Sequence, residues 1–75
     1  MTVKASQVNK FLGELREKLS ILEMFQEHKQ NALDNEENRD YPRDERLEKL
    51  QEQVDILEDA AKLLEEICDT LENYE

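Results

Sequence analysis

Tryptophan is absent from this chain of 75 residues, and cysteine, glycine, proline and histidine occur once each. A single cysteine, Cys68, excludes an intrachain disulfide framework and every multi-cysteine zinc motif. A single glycine, Gly13, leaves nothing from which to build a Gly-rich phosphate loop, and it stands far from any run of carboxylates with calcium-loop spacing. No apolar run approaches the ~20 residues needed to cross a bilayer. No apolar stretch follows Lys4 as it would in a secretory leader, so the expected setting is cytoplasmic. Period-two alternation is missing and β-branched residues are scarce, which argues against strands.

What the chain does have is charge and helical spacing. Charged residues make up 40% of it and hydrophobic ones 37%. One apolar-biased stripe runs through Val8, Leu12, Leu15, Leu19, Leu22, Gln26, Lys29 and Leu33 at alternating intervals of four and three residues. A second runs through Leu47, Leu50, Val54, Leu57, Ala61, Leu64, Cys68 and Leu71 with the same alternation. Both are heptad seams. Between them lies the polar segment from Asp34 to Tyr41, followed by Pro42. The spacing predicts helix 1 over about residues 3–33, a loop over about 34–41 and helix 2 over about 42–73, all one domain. Proline suits the first position of a helix, so Pro42 is expected there, with Asp40 or Asp44 bonding the free N–H groups. Ser6 or Thr2 is the expected cap of helix 1. Two helices of about 30 residues, ~45 Å each, joined by a short loop should form an antiparallel all-α hairpin.

The apolar residues exceed what one hairpin seam needs. Helix 2 carries a second stripe at Ile56, Ala60, Leu63, Ile67 and Tyr74, with Thr70 filling the interval. Helix 1 widens along a flank that contains Phe11, Ile21, Met24, Phe25 and His28, with Ala32 beyond. Left wet, each such side chain forgoes about 1.5 kcal/mol or more, on a total stability of typically about 5–15 kcal/mol. Contiguous exposed apolar residues mark a contact site. The expected assembly is a homodimer forming a four-helix bundle; a hairpin completed by another protein is the alternative. In plan, and in no sequence motif, such an object resembles the small homodimeric helical hairpins, so no residue role is carried over.

Charge is divided unevenly. Residues 1–33 hold five basic and four acidic side chains; residues 34–75 hold five and sixteen. The formal net charge is −10. Glu58, Asp59, Glu65, Glu66, Asp69 and Glu72 give helix 2 an acidic surface. A phosphate-binding surface needs a basic stripe, so nucleic acid is not an expected partner. An acidic helix face would also be repelled by anionic lipid, so no membrane partner is expected. The cations Arg39, Arg43, Arg46 and Lys49 near the turn are outnumbered by carboxylates, with pairs such as Glu45–Lys49 expected among them.

No constellation for catalysis, cofactor or metal emerges. His28 lacks the Glu-x-x-His partner that metal sites in bundles use, since Phe25 precedes it by three. It is expected at the bundle boundary. Cys68 falls on the helix 2 seam and reads as a small buried hydrophobe, its carboxylate neighbours being poor activators of a thiol. Gln26 and Lys29 are polar seam positions, either near a hairpin end or fixing register. Tyr41 is expected to pack over the turn. The function that fits is a non-enzymatic protein–protein interaction module, a small acidic scaffold, adaptor or regulator with an unidentified and possibly basic protein partner. A small chaperone or inhibitor, holding its second stripe open for a partner helix, is the alternative. An acidic mimic of nucleic-acid charge is the remaining reading.

Overall fold

The computed structural model describes residues 2–74. It is an all-helical hairpin of α1 (Ala5–Glu37) and α2 (Asp44–Glu72), which pack against each other along their length. The two helices make a rod of 59 × 17 × 14 Å. No helix is long and apolar enough to cross a membrane.

The heptad seams are the contact between the helices. Val8, Leu12 and Leu33 are buried on α1, and Leu50, Val54, Ala61 and Cys68 on α2. Every other seam residue is half-buried, Gln26 and Lys29 included. The tightest cluster, Leu33 with Leu50 and Val54, lies at the loop end, backed by Ala32 and Leu47. Each such side chain contributes about 1.5–3 kcal/mol when fully withdrawn from water.

The helix ends differ from the sequence expectation. Lys4, rather than Ser6 or Thr2, precedes the first turn of α1, and its backbone N–H donates to Gln7 Oε1 at 2.9 Å. A glutamine three residues into the helix supplies this half of a capping box. At the other end α1 runs to Glu37, past Leu33. Pro42 is two residues ahead of α2, and Arg43 is the N-cap. Neither Asp40 nor Asp44 caps that helix. Glu36 does, from across the turn.

Glu36 is the next step of the α1 seam, three residues after Leu33, and only 3% of its surface is exposed. Its carboxylate accepts the Arg43 backbone N–H at 3.2 Å and the Arg39 guanidinium at 3.2 Å, and it pairs with Arg46 Nε at 3.4 Å. Burial on its own would raise the carboxyl; the Arg43 and Arg39 hydrogen bonds and the positive fields of Arg39 and Arg46 outweigh it and hold the group below its ordinary range. A carboxylate at the N-terminus of α2 also suits the dipole of that helix. One side chain therefore closes the hairpin. Tyr41, by contrast, is 89% exposed, so its ring does not pack over the turn.

Candidate protein-interaction surface

The geometry of the two flanks follows from the heptad. With Leu12, Leu19, Gln26 and Leu33 as a positions of α1, Phe11, Lys18, Phe25 and Ala32 are g, and Glu14, Ile21 and His28 are c. In α2, with Leu47, Val54, Ala61 and Cys68 as a positions, the g residues are Arg46, Gln53, Ala60 and Ile67, and Ile56, Leu63 and Thr70 are c, as is Lys49. Tyr74 continues the g column past the helix end. An antiparallel pair sets e beside e and g beside g. Arg16 and Glu72, both e, form an ion pair across the hairpin. On the opposite side, a recess of about 310 Å³ near the loop is lined by His28 and Ala32 of α1 together with Arg46, Lys49 and Gln53 of α2.

The apolar surplus of both helices consequently faces one side. Ile56 is 59% exposed, Leu63 61% and Phe25 55%. Phe11, Ile21, Met24, Ile67 and Tyr74 are also exposed, whereas Ala60 is half-buried. Met24, at an f position, is the furthest round. His28 is exposed and borders the recess rather than the apolar middle. Tyr74 folds back over the open end, where its hydroxyl donates to the Val3 carbonyl. Two helices thus present a band of apolar side chains from the level of Ile56 to the open end.

The charge is sorted by face as well. On the g and c columns of the helices the cations are Lys18, Arg46 and Lys49, against the single carboxylate Glu14. The e and b columns carry Glu23, Glu27, Asp34 and Glu37 on α1, and Asp44, Glu48, Asp55, Glu58, Glu65, Asp69 and Glu72 on α2. Arg16 and Lys62 are the cations there, and both are paired, Arg16 with Glu72 and Lys62 with Glu58 at 3.6 Å. Glu58, Asp59, Glu65, Glu66, Asp69 and Glu72 are all exposed; Glu66 borders the apolar face beside Leu63 and Ile67, and Asp59 borders it beside Ile56. The expected Glu45–Lys49 pair does not form among the described residues; Arg39 and Arg46 turn to Glu36 instead.

Among the described residues no group of His, Cys, Asp and Glu side chains is arranged to hold a metal ion. Cys68 is buried in the seam with a free thiol. The residue that the sequence reading passed over is Glu36. Its signal was its spacing, since it extends the α1 stripe by one further interval. The cation side of the apolar face was also missed, because charge was counted along the chain and not around the helix. No protein-family model, curated protein or solved structure matches this chain.

Proposed function

We propose that this hairpin is a non-enzymatic protein–protein interaction module, a small scaffold, adaptor or regulator, that works by having its apolar face covered by helices of another polypeptide. The observation that carries this reading is the one-sided band of exposed apolar side chains, Phe11, Ile21 and Phe25 of α1 beside Ile56, Leu63 and Ile67 of α2. A monomer has no use for so wide an apolar surface. Covered by a second copy, the band becomes the middle of a four-helix bundle, and the carboxylates of α2 stay outward for a basic partner. Its one thiol, buried and unpaired, suits a reducing, cytoplasmic setting.

A second reading, a chaperone or inhibitor that keeps the face open for a partner helix, is favoured by the cations Lys29 and Lys49 of the recess on that face, Arg46 beside them being held by Glu36. Two copies laid loop to loop would bring those like charges together. Sedimentation equilibrium over a wide concentration range separates the two. A mass near 18 kDa, twice the 8.9 kDa chain, supports the dimer, and Leu63→Asp and Ile67→Asp should dissociate it. A mass of one chain that stays folded supports the open face. If both variants leave every association of the protein untouched, the face is not an interaction surface and the proposal fails.

A further inference from the structure

We infer that the open face receives an amphipathic helix of a partner protein whose carboxylates are gathered at one end, lying over the recess beside the loop. This rests on the second reading above and names the chemistry of the partner. The recess brings Lys29, Arg46, Lys49 and His28 together, with no carboxylate in its lining. Among the described residues, Lys29 and Lys49 form no ion pair. Lys4, Lys10 and Lys18 are unpaired among those residues as well; what sets Lys29 and Lys49 apart is that they share one recess, beside the apolar face, that no carboxylate lines. Lys29 is half-buried on the seam itself, its stem against the helix contact and its ammonium left accessible to a group outside the hairpin.

The shape of the face fits a helix. Its apolar columns, two from each hairpin helix, leave a lengthwise groove into which one stripe of a third helix can pack ridge into groove. The polarity of the groove is fixed, cationic at the loop end and apolar from the level of Ile56 onward. A ligand that satisfies both has an apolar seam and an acidic end. Complementary charge of this kind sets orientation and excludes wrong partners more than it adds affinity.

The probe is a fluorescein-labelled synthetic helix of about 21 residues, ~30 Å long, with leucine along one heptad seam and glutamates grouped in its final turns. A second peptide carries lysines in their place. Binding is read by anisotropy with the full chain, in low salt. The glutamate peptide is expected to bind at least about tenfold more tightly than the lysine one, a difference of the size that juxtaposed charges give. Lys49→Glu should abolish that preference. Lys62→Glu makes the same change of net charge on the opposite face and should leave it intact.

Equal binding of the two peptides, equal effects of Lys49→Glu and Lys62→Glu, or no binding by the folded protein overturns the inference. So does a free protein that is a dimer at every concentration, or one that prefers anionic phosphatidylglycerol vesicles to the peptide. Leu63→Asp keeps the two proposals separable. Should it weaken binding while Lys49→Glu does not, the interaction face stands and the acidic partner falls.

Discussion

Leu50 and Leu63 belong to one helix and differ in which face they occupy, so truncating each to alanine separates the hairpin's own stability from what a covering partner would add. Leu50 is 5% exposed and Leu63 61%. Leu50→Ala removes a buried side chain from the cluster with Leu33 and Val54 and should cost about 2–5 kcal/mol. Leu63 retains only about two-fifths of its burial in the hairpin, and full burial of leucine is worth about 1.5–3 kcal/mol, so Leu63→Ala should cost about 1 kcal/mol. Urea unfolding followed by helical circular dichroism at low protein concentration measures both. The contrast deepens as the face is covered. A partner at a hundredfold excess over its dissociation constant adds about 2.7 kcal/mol to the folded state. That increment, from a second copy or an added helix, should survive in Leu50→Ala wherever the variant still folds, and shrink in Leu63→Ala. Equal losses at low concentration, together with equal increments on adding the partner, would refute the assignment of the two faces.

Gly13 sits inside α1, exposed, with open space where a β-carbon would go. Gly13→Ala should therefore add about 1 kcal/mol and raise the thermal midpoint by about 4–8 °C; an unchanged or lower midpoint counts against an intact helix there. The lowered carboxyl of Glu36 gives a pH dependence of definite sign. Because its folded value lies below the ordinary range of a glutamate carboxyl, its contribution is complete above that range and is lost as pH falls through the lower folded value. Protonating the many other carboxylates of a chain at −10 relieves repulsion first. Midpoints should rise from pH 7 to about 5 and fall below about 4, the reference range of carboxyls. Glu36→Gln should melt lower than wild type at pH 7, with the gap closing in acid. A variant that matches wild type at pH 7 would remove Glu36 from the closure of the hairpin.

The architecture was legible because it rests on a periodic signal. All sixteen seam residues named from spacing are buried or half-buried in the structure, and no local propensity competes with them. The turn was less legible. The ring of a proline holds φ near the helical value, yet α2 begins at Asp44, because the carboxylate of Glu36 reaches the Arg43 N–H and fixes the helix start from across the chain. That is a tertiary contact, and propensity read along the sequence does not contain it. Tyr41 failed for the related reason that the turn is held by charge and hydrogen bonds, leaving no apolar surface for a ring to cover.

The one-sidedness of the apolar surface is a consequence of topology acting on heptad position. Antiparallel helices set like positions side by side, so g and c residues of α1 and α2 fall on one face whatever their distance in sequence. Had the stripe of α2 occupied e and b instead, the hairpin would carry two opposed apolar faces and could stack without end. A single face admits one closing partner and then stops, which is the condition for a finite complex. The e and b columns reinforce this. Their carboxylates, with Glu65 and Asp69 among them, would make the back of the hairpin repel a second back. The same residues that give the chain its net charge of −10 would thereby restrict an association to the face where Lys18, Arg46 and Lys49 stand. A surplus of acid over the chain as a whole is compatible with a basic, apolar contact surface, because the two are separated around the helix axis and interleaved along the sequence.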